Sequence, residues 1–480
     1  MDRRRFITLT GAATVGLAFD PAFAQSRDVS QLTLAQAADL LRRREVSPVE
    51  LTKACLGRIE KYNSALNAYI TVRAEEALAE ARAIESELLR GRPRGPLHGI
   101  PIALKDNIDT ASVRSTGASN LFRDRVPPED AEVARRLKQA GTILLGKLNL
   151  HEFAYGGSST VTAFGTMHNP WGLDRVTGGS SGGPAAAVAA ALCYGSLGTD
   201  TAGSVRMPAA HCGIVGFKPT YGRVSTRGVM TLSWTLDHVG PMCRTVEDAA
   251  LMLNVVAGYD ALDPTTADVP VPDYMRSLEA STSRLRLGIP RTPFFENLDG
   301  EVASAINAAL DVLRTMTAEA RDIAPLPPSV NPARVWTPEA YAYHAKWIAE
   351  SPEKYQPGTR TTLERSATAS ASEYAQAVHD VHVARRAIRA VFANVDLLIT
   401  PTMKTPAPPL EGGPPGGGGN GNAIFDVFGL PTISVPCGFT GSGLPIGMQI
   451  SGAPWAEPTV LALAHAYEQA TPWHRRRPPL

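Results

Sequence analysis

The chain reads as a layered α/β protein, and three observations say so. Amphipathic helical periodicity alternates with short apolar strand-like runs through the first third of the sequence. A segment of small apolar residues rich in alanine, 184–192, has no charged face and suits close burial against a sheet. Strand-like runs then resume near the C-terminus, beyond a glycine-rich interruption.

Leu34, Ala37, Ala38, Leu40 and Leu41 form the apolar face of a first short helix. Ser47-Pro48-Val49-Glu50 supplies an N-cap, a first-turn proline and a capping glutamate, so a second helix starts there. The alanine- and glutamate-rich run 74–89 predicts a third helix, stopped by Gly91, Pro93 and Gly95. Ile100, Ile102 and Leu104 alternate as in a strand and deliver Lys105 at its end. A helix over 130–140 leads into the apolar strand 142–145. Pro184 opens the small-residue helix, where a missing N–H is tolerated.

From 260 to 332 the chain is proline-rich and irregular, apart from a strand over 285–289 and a helix over 303–316. Residues 372–393 predict a helix with Tyr374, Ala377, Val378, Val381, Ile388 and Phe392 on its apolar face, followed by a strand at 397–399. The low-complexity run 411–421 has too few side chains to build a core and is expected to be a mobile loop. Strands at 432–436 and 446–450 follow it, so it marks no domain boundary.

With 480 residues, 44% of them hydrophobic, the chain is able to bury a large core. Its 47 basic residues nearly balance 46 acidic ones, which argues against nucleic acid or an acidic membrane as a partner. Arg3-Arg4-Arg5-Phe6-Ile7, an apolar stretch to Phe19 and Ala22-Phe23-Ala24 read as a twin-arginine export signal, 1–24, cleaved before Gln25. The mature domain is then 25–480 and its expected location periplasmic. The apolar stretch falls short of the roughly 20 residues that span a bilayer, so no stable membrane anchor is expected. Five cysteines at irregular spacings include no Cys-x-x-Cys pair, and most read as small buried residues.

An amide hydrolase needs a nucleophile, a base that is neutral near working pH, and donors aimed at the developing oxyanion. Ser204 follows a run of small residues, so backbone N–H groups of Thr201, Ala202, Gly203 and Ser204 can converge on one oxygen. Lys105, at the end of an apolar strand, loses its proton more readily because desolvation penalises the charged form. Ser180, inside Gly178-Gly179-Ser180-Ser181-Gly182-Gly183, is able to relay a proton between the two.

On these motifs, and on Cys212-Gly213-Ile214-Val215-Gly216-Phe217-Lys218-Pro219-Thr220, the chain resembles the amidase signature family. The resemblance covers most of the chain and is strongest over 99–253 and from 430 onward. It implies one large domain, with a central mixed twisted β-sheet covered on both faces by helices. It also implies a Ser-cisSer-Lys triad: Ser204 as nucleophile, Ser180 as the bridging serine held by a cis peptide, Lys105 as base. The interval between the two serines agrees with the family's. Thr201 to Ser204 match its oxyanion segment, Ser181 a supporting serine, and Asp200 with Arg206 a flanking charged pair of structural role. The reaction implied is hydrolysis of the C–N bond of small carboxylic amides, extending to carbamates or esters, without cofactor or metal. Pro184, Ala202 and Asp426 depart from the family's commoner residues and bear on substrate choice.

Three other readings compete. Gly179-Ser180-Ser181-Gly182-Gly183 fits the Gly-x-Ser-x-Gly pattern of an α/β-hydrolase esterase with Ser181 as nucleophile, but 173–177 is a poor strand to precede it. An A-type amidotransferase chain would act with a partner on charged tRNA, which the export signal disfavours. A non-catalytic binding protein would have no use for all three triad residues. His98, His151, His211 and His238 have no spacing that selects a base, and His379 with His382 lack further ligands for a metal. A homodimer is compatible with these features. Substrate-pocket walls are expected from 274–360 and from the glycine-rich loop near Gly417, read as a lid.

Overall fold

The computed structural model describes residues 28–412 and 421–480. The export signal and residues 413–420, the centre of the expected lid, lie outside the described residues. Eleven strands form one sheet: β1 (Tyr69–Val72), β2 (Pro101–Lys105), β3 (Ile143–Leu148), β4 (Gly195–Asp200), β5 (Val215–Lys218), β6 (His238–Cys243), β7 (Arg286–Pro290), β8 (Glu319–Ile323), β9 (Leu397–Pro401), β10 (Thr432–Phe439) and β11 (Pro445–Gly452). Their order is β1-β3-β2-β4-β6-β5-β10-β11-β9-β7-β8. The sheet is mixed and helices cover both faces, as the α/β reading requires.

β2 pairs parallel with β3 on one side and with β4 on the other, so the carboxyl ends of three neighbouring strands emerge at the same edge. Open α/β sheets place ligands at that edge. Here it holds Lys105 from β2, Asn149 and His151 just past β3, and Thr199 and Asp200 from β4. β4 then pairs antiparallel with β6, bringing Asp200 opposite His238.

Helix Gly182–Ala189 packs against β2, β3, β4 and β6 with every residue buried. A Cβ on Gly183 would stand 2.3 Å from the Asn149 carbonyl oxygen, so glycine there is what lets the helix come so close. Pro184 is its third residue, still in the turn whose N–H groups have no intrahelical acceptor.

Helix Pro48–Leu66 starts with the anticipated capping box: Ser47 Oγ accepts from the Glu50 N–H at 3.1 Å, and the Glu50 carboxylate accepts from the Ser47 N–H at 2.8 Å. Helix Ala74–Leu89 ends where Gly91 was expected to stop it. The helix expected over 372–393 instead runs Ala371–Ala387 and tightens into a 3-10 turn, Ile388–Ala393. Such tightening re-satisfies carbonyls that a helix end leaves without partners. All five cysteines are buried free thiols. Among the described residues no helix is long and apolar enough to cross a membrane.

Candidate active site

Lys105 is fully buried, and its Nζ donates to Ser180 Oγ at 2.8 Å and to Thr199 Oγ1 at 2.7 Å. Asn107 Nδ2 also donates to Thr199 Oγ1, at 3.2 Å, which fixes that hydroxyl as an acceptor facing the amine. Burial pulls the Lys105 pKa from 10.5 to about 7, against the opposing charges of Asp200 and Asp237. The amine is therefore partly neutral near physiological pH.

Ser180 follows a cis peptide bond from Gly179, as the family resemblance implied. Its carbonyl oxygen accepts from the His151 N–H at 3.1 Å, and the next N–H, of Ser181, donates to the Ser204 carbonyl oxygen at 3.2 Å. The two serine segments are thus pinned side by side. Ser181 Oγ is occupied with β4, donating to the Thr199 carbonyl at 3.2 Å and accepting from the Thr199 N–H at 3.3 Å. No strand precedes it: 173–178 forms turns and isolated bridges. Neither feature suits the α/β-hydrolase elbow.

Ser204 is 6% exposed and lines a cavity of about 350 Å³. Its hydroxyl has no hydrogen bond to protein among the described residues, leaving it available to whatever enters. A larger cleft of about 880 Å³ lies between the helices carrying Leu41 and Leu251, and it contains none of these serines.

Of the four expected oxyanion donors, one is already taken. The Gly203 N–H donates to Asp200 Oδ1 at 2.6 Å. Asp200 Oδ2 meanwhile accepts from the Val205 and Arg206 N–H groups at 3.1 and 3.4 Å, so this one carboxylate folds the whole turn that carries Ser204. The N–H groups of Thr201, Ala202 and Ser204 remain without an acceptor among the described residues. Gly203 serves the turn in a different way: its φ of +108° and a would-be Cβ 2.7 Å from Asn422 exclude other residues.

The charged pair Asp200–Arg206 is in fact a trio. Arg206 is fully buried, with Nε 3.0 Å from Asp200 Oδ2 and Nη2 2.7 Å from Asp426 Oδ2. Nη1 donates to Gln449 Oε1 at 3.0 Å and to the Asn422 carbonyl at 3.3 Å. Burial works against ionising Asp200, but the Arg206 guanidinium prevails and holds its carboxyl far below the usual range. Asp426 goes the other way: burial and the Asp200 charge raise it and outweigh the Arg206 and Lys218 charges that would lower it.

Several residues at the site escaped sequence reasoning. Thr199, one residue before Asp200, and Asn107, two after Lys105, position the amine. Asp237 accepts from Thr201 Oγ1 at 2.5 Å and from the Leu232 N–H at 2.9 Å, and burial pushes its carboxyl up to about 6. His151 is driven down to about 4 by burial and by nearby Lys105, so its ring is neutral. His379 and His382 are exposed on their helix. Of the stretch 274–360 expected to wall the pocket, only Trp336 reaches it among the described residues; the other walls come from 154–157, Ala202, Ser204, Met207, Leu232, Thr362 and 421–423.

The model of the family named Amidase matches residues 50–461. The chain belongs to the amidase family. An amidase of Pseudomonas putida is 42% identical over 469 residues, covering 94% of this chain and 98% of that relative. The A-type chain of the glutamyl-tRNA(Gln) amidotransferase of Moorella thermoacetica is 41% identical over 485 residues, with the same two coverages, 94% and 98%. Among solved structures, native peptide amidase from Stenotrophomonas maltophilia superposes with a TM-score of 0.83 at 33% identity, covering 93% of this chain and 98% of that one. Membership in the amidase family makes the chain an enzyme of the hydrolase and amidotransferase kind that acts on C–N bonds.

Proposed function

We propose that the chain hydrolyses linear carboxylic amides other than peptide bonds, with carbamates and esters as secondary substrates, through a Ser204 acyl-enzyme. The observation that carries this reading is the buried 2.8 Å contact between Lys105 Nζ and Ser180 Oγ, beside a Ser204 hydroxyl open to the cavity. Neutral Lys105 takes the Ser180 proton as Ser180 takes that of Ser204. The Ser204 oxygen bonds to the amide carbon, and the N–H groups of Ala202, Thr201 and Ser204 receive the negative oxygen. The proton returns through Ser180 to the leaving nitrogen as the C–N bond breaks. Water repeats the sequence on the ester, releasing the acid and restoring Ser204. Ser181, Asp200 and Arg206 hold the two loops in register.

The base must be neutral to act. Activity is therefore present above the Lys105 pKa and lost as pH falls through it: kcat/KM for an amide should rise with pH across about 7 and then level off. Lys105→Arg, charged at every working pH, should stay inactive throughout the range. A profile without that limb in the native protein would count against Lys105 as the base.

A second reading draws on the Moorella relative: a chain that releases ammonia from an amide for a partner enzyme. Retention of a partner protein or tRNA through purification, with no hydrolysis of simple amides alone, would support it. The Arg3-Arg4-Arg5 start supports an exported enzyme with its domain over 25–480. Expressed from its full gene, the protein should be recovered from the periplasm beginning at Gln25, and lysine at positions 3–5 should retain it in the cytoplasm. Recovery of the native protein uncleaved in the cytoplasm would refute export.

A further inference from the structure

We infer, building on the amide-hydrolysis reading, that the site accepts amides whose acyl part is uncharged and apolar, and that it excludes free glutamine and asparagine. No residue lining the Ser204 cavity carries a formal charge among the described residues. Besides Ser204 and Tyr155, whose hydroxyl pairs with Ser366 Oγ at 3.4 Å, the walls include Met207, Leu232 and Trp336, with Thr362 and Asn422 as the further polar side chains. Those two are already engaged: Thr362 Oγ1 donates to the Gly358 carbonyl at 2.9 Å and Asn422 Nδ2 to the Thr402 carbonyl at 3.0 Å.

Free glutamine or asparagine brings an ammonium and a carboxylate into this space, and each would lose water without gaining a partner of opposite charge. The Asp237 carboxylate is not among the lining residues and is engaged with Thr201 Oγ1 and the Leu232 N–H. An aromatic or branched acyl group instead exchanges water for apolar contact.

The apolar wall is also built to hold its shape. Trp336 stands on helix Ala333–Glu350, and three residues later Glu339, 2% exposed, binds the loop that carries Leu232. Its carboxylate accepts from the hydroxyls of Ser233 and Thr235, from the Thr235 N–H at 3.3 Å and from Tyr374 Oη at 2.9 Å. Glu339 thereby ties the helix of Trp336 to the loop of Leu232, and Trp336, the large ring in this wall, sets the size and polarity of the acyl group.

The test measures kcat/KM of the purified protein on hexanamide, 3-phenylpropanamide, acetamide, L-glutamine and L-asparagine, with fluorophosphonate labelling of Ser204 followed in parallel by intact mass. The neutral apolar amides should exceed glutamine and asparagine by at least about 100-fold. Trp336→Ala should lower the 3-phenylpropanamide-to-acetamide ratio at least about tenfold, and Leu232→Ala provides the same readout should the first variant be insoluble. Glutamine turned over within tenfold of 3-phenylpropanamide, by a protein whose Ser204 takes the label, would overturn this inference and leave the nucleophile in place. An unchanged ratio in both variants would overturn the role of the wall. Absence of both labelling and amide turnover would overturn the amide-hydrolysis reading itself, and the inference with it.

Discussion

Ser204→Ala should lower kcat on any amide that the native protein hydrolyses by about 10⁴-fold or more, the range seen when an activated serine nucleophile is removed. The size of the effect follows from what the geometry leaves behind. Lys105 and Ser180 would still meet at 2.8 Å, and the N–H groups of Thr201, Ala202 and Ser204 would still be without an acceptor among the described residues, but no oxygen would remain to carry the acyl group. The fold should be almost indifferent to the change. The lost hydroxyl makes no hydrogen bond to protein among the described residues, so removing it leaves no buried donor or acceptor unsatisfied, and the stability cost should stay near about 1 kcal/mol or below. Activity and thermal unfolding measured on the same preparation separate the two effects. Covalent labelling by a fluorophosphonate should disappear with the activity. Turnover that survived, with the label found on Ser181, would move the nucleophile and sink the proposed mechanism.

Which parts of this arrangement could be read from the sequence depended on how local their causes are. The capping box at Ser47, the helix stopped by Gly91 and the strand ending at Lys105 each rest on residues within a few positions of one another, and each formed as expected. β4, Gly-Ser-Leu-Gly-Thr-Asp, has neither alternation nor β-branched density. It is a strand because β2 and β6 flank it and helix Gly182–Ala189 presses on it, so tertiary pairing decides what propensity cannot. β8 was missed for the opposite reason: Glu319, Arg321 and Asp322 give it the charged look of a loop, which suits a strand at the edge of a sheet. At the site, the serines and Lys105 stood out through their resemblance to a family. Thr199 did not, because what marks it is a contact with an amine far away in the chain. The commitment of the Gly203 N–H to Asp200 was equally hidden, since a run of small residues does not say which of its donors are spent on holding the turn.

Arg206 should be the residue whose loss unfolds the protein most readily. Arg206→Met keeps much of the side-chain volume but leaves Asp200 buried without the guanidinium that pairs with it, and breaking a buried pair in this way costs about 3–5 kcal/mol. The damage would reach catalysis because Asp200 uses its two oxygens to hold the N–H groups of Gly203, Val205 and Arg206, the turn on which Ser204 sits. Asp426→Asn is the informative comparison. Burial and the neighbouring Asp200 charge already raise the Asp426 pKa, so a neutral amide replaces a carboxyl that ionises reluctantly, and its oxygen still accepts from Arg206 Nη2. That variant should lie within about 1 kcal/mol of the native protein in denaturant unfolding, well apart from Arg206→Met. Equal destabilisation by the two changes would mean that both carboxylates are ionised in the native state and that the guanidinium balances them jointly. A small effect of Arg206→Met would mean that the turn carrying Ser204 is held by its backbone alone, and the trio would lose its place in the explanation of the site.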